Sequence, residues 1–463
     1  MSELIARLPS ATRLNAWVFA LAAVVVGVGG GLMASGLGAQ KAVTLTIGVV
    51  ILAVVLWRYQ VGVVLMLLTL PLDVYGRLIT SPVTITVFHV ALLFTLVSWG
   101  IAIVQGRAKL QFSAVDAGIA ALLFAAVWSL PQSLLPKQTF IAIVRLAFLW
   151  LFTLLYANAM SSRRVMDVVT GVLVATGVGS AGVALAQYFV PGFTFGSTRQ
   201  VNQGGGEWLT RVGAFFHDPN YLAGFLSVTL VMSLALLVHS RKWWPAIAWA
   251  GASGVLGVGV LVTFSRTGLV GVAGALLIVL LTAPKDRRKW LIGVFVVLVL
   301  IAVVASPQAI VGRAKSIGDI SGDLSIATRY HMFGSAFEIA RDHWAVGTGL
   351  AAFEAAYPPY RRLGTLTWIT KPHEIPLALV AETGVAGVIA QIVFLGALFV
   401  TFRRRRKGDW TAAEAFALAG LAGIMIQSLF QYYLYFEYLW LLVAFAVAAN
   451  RVAAEEESHE PAS

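Results

Sequence analysis

Apolar runs of about 20 residues succeed one another along almost the whole chain, with most of the charge confined to the short polar stretches between them. A run of that length crosses a hydrocarbon layer about 30 Å thick as an α-helix. The pattern predicts spans near 17–37, 43–57, 60–72, 83–104, 115–130, 138–160, 165–190, 220–239, 245–264, 267–283, 290–305, 374–401, 411–430 and 433–449. The runs at 43–57 and 60–72 are short, so each is either re-entrant or fused, and the expectation is about 12–14 transmembrane helices. Alternating ten-residue strands are absent, which argues against a β-barrel. The predicted fold class is an all-α polytopic membrane protein.

Two polar segments break the monotony. Pro191 to Asn220 contains the turn signal Gly204-Gly205-Gly206 and ends in Phe215-Phe216-His217-Asp218-Pro219-Asn220. Asp218 and Pro219 are suited to cap and open the next helix. The second segment, 306–372, is the only long one. Within it Ile326, Tyr330, Phe333, Phe337, Ala340 and Trp344 recur at helical spacing, which predicts an amphipathic helix on the membrane surface or over a cavity. Five regions follow: N-terminal spans 1–190, an outer loop with central spans 191–305, a long outer loop 306–373, C-terminal spans 374–449 and a disordered tail 450–463.

Composition agrees. Of 463 residues, 59% are hydrophobic and 12% charged, whereas a soluble domain is about 25% charged. The net charge of +12 sits unevenly. With the N-terminus inside, Arg58, Arg107, Arg163, Arg164, Lys285 to Lys289 and Arg403 to Lys407 all fall on the inner side, far outnumbering the basic residues of the short outer loops. Both termini are thus expected to be cytoplasmic and the 306–372 loop outside. This asymmetry and anionic headgroups account for the charge, so no nucleic-acid partner is expected. The chain has no cysteine, which excludes disulfides and thiolate metal sites.

Candidate chemistry lies on the outer side. His373, in Lys371-Pro372-His373-Glu374, stands where the long loop meets a span, and an imidazole there suits proton transfer. The turn Thr263-Phe264-Ser265-Arg266-Thr267-Gly268 leaves no room for a loop. An arginine at such depth needs a polar cavity or an anion, which makes Arg266 the foremost basic candidate. Arg211 follows the glycine-rich segment. Arg145 lies about two turns inside a span, where function and structural pairing weigh equally. His89, Gln187, Glu382, Gln391, Gln427, Gln431 and Glu437 read individually as packing or helix–helix hydrogen bonds. No metal-ligand cluster is visible, so metal-independent chemistry without a cofactor is expected.

Four stretches in this order, RVGAFFHDPNYLA, TFSRTG, RDHWAVGTGLAAF and KPHEIPLALVAETGVAG, resemble the O-antigen ligase/polymerase superfamily of bacterial envelope glycosyltransferases. The likeness spans about residues 190–400 and departs at Glu374, where family members commonly carry asparagine. It implies a C-type membrane glycosyltransferase-like fold in the bacterial inner membrane with the active site facing the periplasm. The implied donor is a glycan on undecaprenyl diphosphate, and for a ligase the acceptor is a hydroxyl of the lipid A-core oligosaccharide. His373 would then be the general base, and Arg211 and Arg266, with Arg145 as a further candidate, would bind the diphosphate. A polysaccharide polymerase using the same donor stays open, as does, from another class, a lipid-linked glycan transporter. Internal repeats that would favour transport are not apparent.

Overall fold

The structure, a computed structural model, describes residues 39–72, 75–80, 84–202, 208–289, 292, 293, 296, 324–362, 374–403 and 410–459. The expected spans 17–37 and most of 290–305, the basic run after Arg403, and His373 lie outside these. Described helices, in chain order, are α1 (Ala39–Trp57), α2 (Tyr59–Thr69), α3 (Val87–Val104), α4 (Ala114–Trp128), α5 (Pro136–Ala159), α6 (Arg163–Phe189) and α7 (Pro219–His239). They continue with α8 (Trp243–Val262), α9 (Arg266–Thr282), α10 (Leu324–Asp342), the single turn α11 (Phe353–Ala356), α12 (Pro376–Arg403), α13 (Ala412–Ser428) and α14 (Glu437–His459). Two small antiparallel hairpins accompany them: β1 (Arg77–Ile79) with β2 (Ile85–Thr86), and β3 (Ser197–Asn202) with β4 (Trp208–Ala214). Among the described residues, 8 helices (α3 to α8, α12 and α14) are long and apolar enough to cross a membrane. The chain is an all-α polytopic membrane protein, and the described helices outside the long loop follow the predicted spans within a few residues, except that α14 runs on to His459.

The chain divides into two compact units, Met1–Met66 with His89–Leu110, and Leu67–Phe88 with Gln111–Ser463. In the first, Gly62 of α2 lies so close to Thr95 of α3 that a Cβ would overlap its hydroxyl, and Ser98 Oγ donates to the Leu56 carbonyl at 3.0 Å. In the second, α7 is enclosed by α6, α8, α9 and α13, and 83% of its apolar window is buried. Small residues permit this closeness, as expected for helices packing in lipid. Gly423 of α13 meets Ala275 of α9, and Gly259 of α8 meets Ala181 of α6.

The span expected at 374–401 is not one helix. Gly384 (φ 62°, ψ −149°) breaks α12 in a conformation populated essentially by glycine alone, which costs a side-chain-bearing residue about 1–3 kcal/mol. Breaking a helix strands backbone groups, and in lipid these need partners. The stretch Trp344–Gly349 supplies them. Val385 N donates to Trp344 O at 2.7 Å, Thr348 N to Ala381 O at 3.1 Å and Gly349 N to Glu382 O at 2.9 Å. From the other side, Trp128 Nε1 donates to Ala345 O, Leu134 N to Thr348 O, and Leu350 binds the Ser129 and Thr139 hydroxyls. Gly347 (φ 81°) and Gly349 (φ 100°) are required here, since a Cβ would overlap the Glu382 carbonyl at the first and the Ser133 hydroxyl at the second. Thus the Gly-Thr-Gly stretch is an interlock between the long loop, the start of α5 and the broken α12.

Two further segments hold more structure than expected. The amphipathic helix exists as α10, and Tyr330, Phe337 and Trp344 of the expected stripe are exposed. Its buried face is Met332, Ser335, Ala336, Ile339 and Ala340, packed on Phe353, Tyr357 and Ala381. Both faces are apolar, and the side with smaller residues fits closest to α12. At the C-terminus, α14 runs to His459, so residues 450–459 are helical where a disordered tail was expected. Glu456 there forms an ion pair with Arg163 at the start of α6.

Candidate active site

One end of the second unit brings together two of the residues the sequence singled out, Arg211 and Arg266. Helix α7 begins as expected: Asp218 caps it, accepting from Asn220 N at 2.8 Å, and Pro219 occupies its first turn. The Asp218 carboxylate is neutralised by Arg199 of β3 at 2.6 Å. Helix α9 begins at Arg266, behind Ser265, whose hydroxyl accepts from Gly268 N. The tight turn before it is made by hydroxyls and by one left-handed residue. Thr263 Oγ1 donates to Val260 O at 2.6 Å and accepts from Ser265 N at 3.2 Å, and Phe264 takes φ 51°.

These two helix starts meet at Asn220. Its Oδ1 accepts from Arg211 at 2.9 Å and from Ser265 Oγ at 2.9 Å, and its carbonyl accepts from Tyr433 OH at 2.9 Å. Arg211, on β4, also donates Nε to the Thr263 carbonyl at 2.9 Å. The strand thereby spans both helix starts, and Arg211 and Arg266 are brought to one place. The start of α9 carries partial positive charge, whereas the first N–H groups of α7 are already taken by the Asp218 carboxylate and carbonyl. Arg211 and Arg266 bring two guanidiniums to this end, and the fork of each suits phosphate oxygens.

Arg145 stands apart from this cluster. It is exposed on α5, donates to Tyr435 O at 3.0 Å, and its guanidinium lies 5.0 Å from the Tyr435 ring centre. These contacts with Tyr435 match the pairing alternative that the sequence left open beside substrate binding. The connecting loop 429–436 lies between: Tyr433 reaches Asn220, Tyr435 reaches Arg145, and Tyr432 OH donates to Glu382 Oε2 at 3.5 Å.

Glu382 is fully enclosed at the break of α12, and its Oε1 accepts from Phe353 N at 3.2 Å. Glu374 caps the start of α12, with Oε2 accepting from Leu377 N at 2.8 Å, while Ile375 N donates to Ser428 O. Glu374 is only 4% exposed, and burial pushes its carboxyl up to about 7 against the pull of the Leu377 and Ala378 N–H groups. Among the described residues no group of three or more His, Cys, Asp or Glu side chains comes together to hold a metal. The sequence reading missed Asn220, Ser265 and the three tyrosines. Only Asn220 gave a local signal, its place in an Asp-Pro-Asn helix start.

Residues 251–392 match a family model described as O-Antigen ligase. The match takes in Arg266, the Gly-Thr-Gly interlock and Glu374, and ends before the tyrosine loop. None of the curated proteins compared with the chain matches it. Within a chain of apolar spans, the segment from α8 and the Arg266 turn to the broken helix is thus similar to the O-antigen ligase family.

Proposed function

We propose that the protein transfers a glycan from an undecaprenyl-diphosphate carrier to a hydroxyl of the lipid A-core oligosaccharide, by a single inverting displacement without a metal ion. The observation that carries this is the meeting of the α7 and α9 N-termini with Arg211 and Arg266 around Asn220. As the bond from the anomeric carbon to phosphate breaks, negative charge grows on the lipid diphosphate. Fixed donors aimed at that charge in a partly dry site are worth about 3–4 kcal/mol each. They cost no reorganisation, because Asn220 and Thr263 already hold Arg211. His373 takes the proton of the attacking hydroxyl. The same donor site would serve a polymerase, whose acceptor is a second carrier-linked glycan.

The test is transfer by the purified protein in lipid vesicles, with lipid-diphosphate-linked glycan and either core lipid or a second carrier-linked glycan. Transfer to core lipid with inversion, reduced at least about 10²-fold by His373→Ala, is the expected result. Elongation on the carrier alone would reassign the protein as a polymerase. Retention of configuration would overturn the single displacement.

A further inference from the structure

Exposure along α12 changes abruptly at its break. Before it, Leu379, Ala381, Glu382 and Thr383 are buried, and Leu377 and Val380 pack on the cluster formed by α10 and α11. After it, Val385, Val388, Ile389, Ile392 and Phe399 are exposed and make one apolar face. The first part is wrapped in protein and the second is dressed for lipid. Gly384–Arg403 is 20 residues long, about 30 Å as a helix, which is the thickness of a hydrocarbon core. It ends where the basic run begins at Arg403.

The neighbours of α12 give the same height. Helix α4 packs against it with Gly118 beside Phe394, so close that a Cβ would overlap the Phe394 backbone. Trp128 stands ten residues from Gly118, and Gly384 ten from Phe394, about 15 Å along each helix. The two ends are tied through the chain that follows α10. Trp128 Nε1 donates to Ala345 O at 3.2 Å, and Val385 N to Trp344 O at 2.7 Å. The end of α10 is thereby fixed level with the break.

The face of α10 turned away from α12 carries Tyr330, Phe337 and Trp344, which are 67%, 62% and 66% exposed. Arg341 lies among them and pairs with Asp342. Beyond Trp344 the aromatic surface continues onto α4, where exposed Phe124 stacks on Trp128. Large rings with an arginine between them suit the boundary of headgroups and acyl chains, where the rings sink in and the guanidinium reaches phosphate. A helix covering a cavity would bury these rings. They spread over 14 residues, about 21 Å, so they share one boundary only if α10 lies nearly along it.

We propose that α10 is an interfacial helix whose aromatic face is embedded in the headgroup–acyl boundary of the bilayer, at the height of Gly384. The membrane span is then Gly384–Arg403. The half-helix Pro376–Thr383, with Glu374 and Glu382, stands outside the hydrocarbon. This inference does not depend on the reaction proposed above.

The chain has no cysteine, so single-cysteine variants each carry one probe. Tyr330→Cys, Phe337→Cys, Val385→Cys and Ile392→Cys are labelled with a fluorophore, and the full chain is reconstituted in phosphatidylcholine–phosphatidylglycerol vesicles. Quenching is measured with a nitroxide on the lipid headgroup, with a nitroxide near the end of the acyl chain, and with iodide in water. The probes at positions 330, 337 and 385 should lose most fluorescence to the headgroup nitroxide. The probe at 392, about 12 Å beyond Gly384 along the helix, should lose most to the deep nitroxide. Strong iodide quenching at 330 or 337 would put the aromatic face in water, and protection from all three quenchers would put protein over it. Either result overturns the proposal. A probe at 385 quenched chiefly by the deep nitroxide would start the span near Pro376 and overturn the assigned height.

Discussion

Asn220 offers the sharpest test of the diphosphate site, because one atom of it holds two parts of that site together. Its Oδ1 accepts from the Arg211 guanidinium and from the Ser265 hydroxyl, each at 2.9 Å. Asn220→Ala removes both bonds. A hydrogen bond to a charged donor is worth about 1.5–3 kcal/mol and one to a neutral hydroxyl about 0.5–1.5, so the folded state should lose about 2–4 kcal/mol. Arg211 would then have to be ordered by the donor itself, and affinity should fall about tenfold to a hundredfold. Asn220→Asp separates scaffold from site. It keeps the acceptor geometry and strengthens the pairing with Arg211, yet adds a negative charge where an anion is argued to bind. Thermal denaturation in detergent should therefore rank the aspartate variant at or above the unaltered protein and the alanine variant below. Binding of a fluorescent lipid diphosphate should rank unaltered, then alanine, then aspartate. If the aspartate variant bound donor as well as the unaltered protein, the anion locus would have to be placed elsewhere.

Arg266→Lys and Arg211→Lys should both be badly impaired in transfer, since lysine offers a point charge in place of a fork, with Arg266 the more sensitive because its turn cannot adjust; Arg163→Lys, on the opposite end and paired with Glu456, is the control. Gly347→Ala should lower the thermal midpoint and the yield of inserted protein, by about 1–2 kcal/mol from its positive φ alone and by more from overlap with the Glu382 carbonyl. Glu374 should also leave a mark on stability. Folded, it keeps its proton to about pH 7, while the unfolded chain releases it near 4.5, so stability falls as pH rises between these values by about 3 kcal/mol. Glu374→Gln should accordingly raise the thermal midpoint at pH 8 and leave it unchanged at pH 4.5.

Much of the frame was legible because its signals are local. Asp218-Pro219 announces a helix start through capping chemistry, and the turn at Arg266 is forced by two apolar runs with nothing between them. Asn220 is different. Its meaning comes from Arg211, Ser265 and Tyr433, the last 213 positions away, and no window of sequence contains them together. Gly384 escaped notice because a glycine in an apolar run usually serves close packing, and only its φ reveals a break. Half of α10 was legible: the aromatic stripe read from its spacing is exposed, as on a helix that lies at a membrane surface. What the spacing did not reveal is its second apolar face, Met332, Ala336, Ile339 and Ala340, packed on Phe353, Tyr357 and Ala381.

The broken α12 has a consequence for biogenesis. With mean hydropathy 2.3 it is the most apolar of the eight candidate spans, so transfer free energy alone favours handing it to the lipid early. Yet around Gly384 its amide groups are completed by Trp344, Thr348 and Gly349, which belong to the long loop that precedes it. Insertion and maturation of this span are therefore separate events. The second waits until the long loop has packed against the opening of α5. Lesions in that loop should present as membrane-quality-control defects, with degradation of an inserted but uncompleted helix.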